Sequence, residues 1–226
     1  MMKIFPLAVS LFLMLQASDE LEKEALRQLY SSDGWNLIDK HENGREISVK
    51  SIEGKPLRAV MVSNRVNMDA KTLLSVVYDV ANYEKTFINS SQVTTKVLQS
   101  KPQYIDAYQH LPVPIPFISD RHYVFRMEST NENRVTWKLV SYDNGYKDFL
   151  KEREREFNKP VYLESGIGIW DAIENSNNSC SLSYRIYMDS GGNLPHFLID
   201  WLNRKALASI FEDVLLTASS LKTEVK

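Results

Sequence analysis

Asp189-Ser190-Gly191-Gly192-Asn193-Leu194-Pro195, followed by His196 to Leu221, is the stretch around which the chain is organised. Two glycines let the backbone turn sharply. Asn193 suits an N-cap, and Pro195 falls in the first turn, where a missing N–H costs little. Beyond it Phe197, Trp201, Ala208, Phe211, Leu215 and Ala218 recur at helical spacing, and Leu194, Leu198, Leu202, Ile210 and Val214 widen the stripe. The spacing predicts a long amphipathic helix hinged at Gly191-Gly192. Periodicity alone leaves two readings: a terminal helix packed as ordinary core, or a helix that covers the mouth of a cavity.

The 226 residues suffice for one large domain. A hydrophobic content of 43% and a charged content of 25% are those of a globular protein, and a net charge of -2 gives no electrostatic footprint for nucleic acid. Residues 1–17 stand apart: Lys3, then an apolar run over Ile4 to Leu15, then Gln16-Ala17 before the acidic Ser18-Asp19-Glu20. This layout predicts a cleavable signal peptide, a mature chain starting near Ser18, and a secreted or periplasmic location. The alternative is an uncleaved anchor. Cys180 is the sole cysteine, so stability rests on the core rather than on a disulfide.

Read in order, Glu20 to Tyr30 predicts a short charged helix. Arg45 to Ile52 and Leu57 to Val66 alternate around Glu53-Gly54-Lys55-Pro56, a hairpin signal. Asn67-Met68-Asp69 caps a helix from Ala70 to about Asn82. The chain then turns strand-like over Val93–Leu98, Tyr104–Leu111, Arg121–Ser129, Arg134–Tyr142, Tyr162–Glu174 and Cys180–Asp189. The alternating charges of Lys151 to Glu156 read as a solvated surface. The order predicts an α+β fold, an antiparallel sheet with helices segregated to one side. A strongly curved sheet crossed by a long helix encloses space.

Motifs for catalysis are sparse. His41, His110, His122 and His196 lack metal-ligand spacing, and no nucleophile elbow or phosphate-cradling loop is present. Gly166 and Gly168 sit inside a strand, where close approach of a neighbour explains them better than nucleotide binding. Asp120, His122 and His110 are the candidates for an acid–base site, against an ordinary strand start at Ser119-Asp120-Arg121-His122.

Several local motifs then resemble the START domain, the steroidogenic-acute-regulatory-related lipid-transfer module, in its stand-alone bacterial form. They are Trp35 with Leu37; Val77-Tyr78-Asp79 to Tyr83; the Pro-rich run Leu111 to Ser119 leading into Asp120-Arg121-His122-Tyr123-Val124; Gly168-Ile169-Trp170; and the Gly-Gly-Asn-Leu-Pro turn. The resemblance covers about 35–221, within a START-like domain of 18–226. It implies a helix-grip fold, with a curved antiparallel sheet around a hydrophobic tunnel and the C-terminal helix as lid. It further implies non-covalent binding of one lipid and transient membrane contact, by a monomer without catalysis, cofactor, metal or nucleic acid.

The resemblance and strand parity together place Met61, Tyr108, Tyr123, Phe125, Met127, Trp137, Ile167, Ile169, Tyr184, Phe197, Trp201 and Ala208 on the tunnel wall, with Gly191 and Gly192 as the lid hinge. His122 stands where the family has Asp after the Arg. The acid and Arg of sterol-carrying members fall on Tyr108 and Met127, with Arg126 one residue from the expected Arg. Two further functions stand beside lipid transfer: a helix-grip cyclase or hydrolase acting on an apolar substrate, and a non-catalytic envelope interaction protein.

Overall fold

The computed structural model describes residues 23–24, 26–90, 93–175, 179–192 and 194–224. The expected signal peptide, its cleavage point and the N-cap Asn193 lie outside the described residues.

Helix α1 covers residues 26–30. Three strands follow: β1 (Asn36–Lys40), β2 (Glu46–Ser51) and β3 (Arg58–Val66). Helix α2 (Ala70–Tyr78) comes next, then a 3-10 turn (Val80–Asn82) and the single turn α3 (Tyr83–Thr86). The rest of the sheet is β4 (Thr94–Lys101), β5 (Tyr104–Leu111), β6 (Arg121–Asn131), β7 (Arg134–Val140), β8 (Val161–Tyr162), β9 (Gly166–Asn175) and β10 (Ser179–Met188). Helix α4 (Lys147–Glu156) interrupts it, and α5 (His196–Glu224) ends the chain.

The strands form one curved, open sheet in the order β1-β2-β3-β10-β9-β7-β6-β5-β4. Every pair along that path is antiparallel, and β8 alone runs parallel, beside β6. The first and last strands each carry a bulge. In β1 the register skips at Ile38, and in β4 it skips at Leu98.

Helix α2 starts for a local reason. Asp69 caps α2 by accepting from Thr72 N (2.7 Å) and Thr72 Oγ1 (2.9 Å). The bond from the Thr72 amide pulls the Asp69 carboxyl below its ordinary value. Leu73, Leu74, Val76 and Val77 then face the sheet. Along α5 the buried stripe is Ile199, Asn203, Leu207, Phe211, Val214 and Ala218, spaced three or four residues apart. Each large apolar side chain in it contributes roughly 1.5–3 kcal/mol by leaving water.

The concave face holds the largest core. Ile47 and Val49 of β2, Val60 and Val62 of β3, Leu182 and Tyr184 of β10, Trp137 of β7 and Phe125 of β6 meet α2 and the C-terminal part of α5 there. The convex face is covered as well, which corrects the expectation of helices on one side only. Leu29 of α1 packs on Ile167, Ile169 and Tyr187. Leu150 of α4 packs on Tyr108, Val124 and Val140. The charged run Lys151–Glu156 therefore belongs to a helix that buries Leu150 and leaves much of its charge in solvent.

Candidate functional site

Strand alternation assigns each expected wall residue to a face. Tyr123, Phe125 and Met127 of β6, Trp137 of β7 and Tyr184 of β10 lie in the concave core, and Ala208 of α5 packs partly buried against it. Met61, Tyr108, Ile167 and Ile169 do not, and their placement is corrected. Met61 pairs with Arg185, and Arg185 with Ile169, so all three share the convex side. There Ile167 and Ile169 meet α1, and Tyr108 meets α4. On β9 the concave positions belong to Gly166, Gly168, Trp170 and Ala172, the opposite parity to that expected.

Phe197 and Trp201 are corrected too. They are 74% and 45% exposed on the outer side of α5, because the buried stripe runs through Ile199 and Asn203 instead. Asn203 is buried because its amide is used: Nδ2 donates to Met188 O (3.1 Å), and Oδ1 accepts from Ser190 Oγ (3.5 Å).

The turn into α5 is left-handed at both glycines, with φ of 61° at Gly191 and 69° at Gly192. Gly191 N donates to Asp189 Oδ1 (3.0 Å). The buried Arg121 guanidinium clamps this turn, donating to Ser190 O (2.9 Å) and Gly191 O (3.3 Å) as well as to Ser119 O. Burial pushes its pKa down, with the Asp120 charge opposing. Sequence reasoning treated Arg121 as part of a motif and missed this role. Its contact with the Gly-Gly turn forms only in three dimensions.

Farther along, α5 is tied down. Buried Asp213 accepts from Asn89 N (3.2 Å), Asn89 Nδ2 (2.7 Å) and Ser90 Oγ (2.6 Å). Arg45 Nη1 meets Glu212 Oε1 at 3.0 Å. Toward the N-terminal end Arg58 pairs with Asp200.

The concave interior is apolar apart from a few aromatic and amide groups. Trp137 Nε1 donates to Tyr184 Oη (3.1 Å), and Tyr123 Oη donates to Gln109 Oε1 (2.6 Å). Tyr83 Oη donates to Val77 O (2.5 Å). Burial raises the pKa of all three phenols far above the ordinary value, so each is neutral.

The acid–base candidates gather on the other side. His110 Nε2 lies 3.1 Å from Asp120 Oδ2, and its ring stacks on Phe157 at 3.8 Å. Asp120 Oδ1 accepts from Val113 N (2.9 Å). His122 is fully buried among Tyr108 and Tyr162, and among the described residues neither ring nitrogen has a hydrogen-bond partner. Burial lowers the His110 pKa and takes that of His122 down to about 4. Arg126, one residue from the expected Arg, is convex as well: its Nε and Nη2 donate to Asp106 Oδ1 (2.7 Å) and Oδ2 (2.8 Å), and Tyr146 Oη donates to Asp106 Oδ2 (2.7 Å). No ion pair takes its place at the centre of the concave face among the described residues. Also among them, no cluster of His, Cys, Asp or Glu is arranged to hold a metal ion, and no helix is long and apolar enough to cross a membrane.

A curved open sheet gripping a long C-terminal helix is the helix-grip fold of START domains, and the comparisons with solved structures place the chain in it. The STAR-related lipid transfer protein of Xanthomonas axonopodis matches with a TM-score of 0.63 at 20% identity, over 84% of this chain and 99% of that one. Human STARD10 matches with a TM-score of 0.64 at 15% identity, over 92% and 83%. The Zhui aromatase/cyclase of Streptomyces sp. R1128 matches with a TM-score of 0.53 at 13% identity, over 72% and 93%. No protein-family model and no curated protein sequence matches the chain.

Proposed function

We propose that this protein binds one lipid non-covalently between the concave face and α5 and transfers it between membranes. The observation that carries the reading is the make-up of that interior. It combines an apolar sheet face and an apolar helix stripe with neutral aromatic and amide groups. A lipid chain enclosed there gains roughly 25 cal/mol for each Å² of apolar surface removed from water. The similarity in fold to proteins named for lipid transfer supports the same reading.

Entry needs movement, and the two halves of α5 differ in how they are held. Asp213 anchors the later half to Asn89 and Ser90. The first turns follow two left-handed glycines, are held by Arg58–Asp200 and Asn203–Met188, and carry Phe197 and Trp201 outward. Phe117, fully exposed, lies four residues before Arg121 in the Pro-rich loop. The Arg121 clamp joins that loop to the glycine turn, so the three exposed rings belong to one end of the molecule. We assign this end to membrane contact, since aromatic rings favour the interface between lipid and water. The site of action is outside the cytoplasm, on the strength of the leader-like residues 1–17.

Native mass spectrometry of protein purified from cells, followed by lipid extraction, tests the binding. A co-purified lipid, or uptake from vesicles, is the expected result. Protein that is empty and takes up nothing overturns the reading. N-terminal sequencing of the exported product checks the location.

The aromatase/cyclase of similar fold favours a second reading, catalysis on an apolar substrate. Its first candidates, Asp120, His110 and His122, sit on the convex side, away from the interior. Lipid uptake that survives replacement of Asp120 by Asn and His122 by Gln, with no turnover lost, counts against it.

A further inference from the structure

We propose that the Tyr184 hydroxyl is the donor that recognises an uncharged oxygen of the enclosed lipid, of the ester, ketone or hydroxyl class. The assignment rests on the carrier reading above and adds a specificity-determining residue to it.

Three phenols are buried in the interior, and their protons are used unequally. Tyr83 donates to Val77 O, and Tyr123 donates to Gln109 Oε1, whose Nε2 passes on to Thr95 Oγ1 at 3.1 Å. Tyr184 only accepts, from Trp137 Nε1 at 3.1 Å. Among the described residues nothing accepts the Tyr184 proton. A buried hydroxyl proton without an acceptor is costly, and native interiors pair nearly all of them.

The ring cannot swing to find a partner. It stacks on Trp170 at 4.0 Å with an interplanar angle of 8°, and Trp170 lies near-parallel to Phe211 of α5 at 5.9 Å. The incoming Trp137 N–H also polarises the Tyr184 O–H and makes it a better donor. The donor is thus fixed, strengthened and unspent, next to the helix that closes the interior.

The charge of the ligand oxygen follows from what surrounds it. Among the described residues no ionised side chain hydrogen-bonds to Tyr184 or Trp137. Arg121 is spent on main-chain carbonyls at the hinge, Arg58 on Asp200, and Asp213 on Asn89 and Ser90. A carboxylate or phosphate at Tyr184 would be a buried charge with no counter-ion. An ester, ketone or hydroxyl oxygen accepts the same bond without that cost.

The test uses the full chain stripped of lipid and two fluorescent probes of equal length, the methyl ester of a pyrene-labelled fatty acid and the corresponding pyrene-labelled alkane. Wild type is expected to prefer the ester, and Tyr184→Phe to weaken ester binding about fivefold to tenfold while leaving the alkane unchanged. Phe keeps the ring and its stack on Trp170. Should that variant not fold, Trp137→Phe, which removes the polarising N–H, is expected to narrow the ester preference. If the variant weakens both probes equally, or neither, the hydroxyl serves packing or a trapped water and the assignment is overturned. Wild type that binds neither probe removes the carrier reading and the assignment with it.

Discussion

The indole of Trp137 lies against Gly168 so closely that a Cβ on Gly168 would stand 2.4 Å from the ring atoms Cε2 and Nε1. The glycine is there for space rather than for backbone conformation. Gly168→Ala must push Trp137 out of place and break its bond to Tyr184. A loss of roughly 1–3 kcal/mol in urea unfolding is expected, as for overpacked cores, with a change in tryptophan emission. Unchanged stability and emission would show that the contact is loose.

At Gly192 the demand is conformational. An L-residue at Gly192 must adopt a φ near 69°, at a cost of roughly 1–2 kcal/mol. Gly54 has a φ of 72°, and a Cβ added there would meet nothing within 4 Å, so Gly54→Ala is a matched control. Both variants are expected to lose similar stability. Only Gly192→Ala is expected to alter the rate of lipid transfer between vesicles. Equal transfer rates for the two would mean that the turn is not the gate.

Acid should weaken the fold through His122. Its folded pKa, about 4, lies below the ordinary 6.5 because burial opposes the charge. The unfolded chain therefore binds a proton that the folded chain refuses, and stability falls as pH drops from 6.5 to 4 and levels below. Two and a half pH units correspond to a loss on the order of 3 kcal/mol. His110, also lowered, adds in the same direction. Urea midpoints at pH 7 and pH 4.5 measure the loss, and His122→Leu is expected to remove much of it. An unaltered pH slope in that variant would assign the acid sensitivity elsewhere.

Replacing Phe197 and Trp201 together by Gln should leave stability within about 0.5 kcal/mol, since both rings are largely outside the core. On the proposed membrane contact, sedimentation with vesicles is expected to fall by about tenfold, because aromatic rings favour the lipid–water interface. Full retention of vesicle binding would place the membrane face elsewhere.

How far the sequence could be read depended on which signals were local. The Gly-Gly turn, the capping segment Asn67-Met68-Asp69 and the alternation of β6 are short-range, and they led to the correct elements and, for Tyr123, Phe125 and Met127, to the concave face. Strand β9 was misread because it is apolar on both sides: Ile167 and Ile169 meet α1, while the concave side holds two glycines beneath Trp137 and Leu139. Alternation cannot tell a face that holds small residues against large neighbours from a face that is exposed. In α5 the buried stripe includes a polar residue, Asn203, and leaves Phe197 and Trp201 outside. A hydrophobic count therefore turned the helix the wrong way. Helix α4 went unrecognised because one fully buried residue, Leu150, ties it to the sheet through a convex cluster assembled from distant strands.

The bulges at Ile38 and Leu98 fall on the two outermost strands of the sheet. An open sheet offers two free edges, each a row of amides and carbonyls on which another chain could extend the ladder. Here β1 and β4 are those edges, and each breaks its own repeat at one residue. Lys96 and Lys101 add positive charge along β4, whereas Lys40 of β1 is paired with Glu46 at 2.7 Å. A strand approaching either edge meets a register that does not continue. The sheet thus stays unclosed, as a grip around α5 requires, with an irregular ladder at both of its edges.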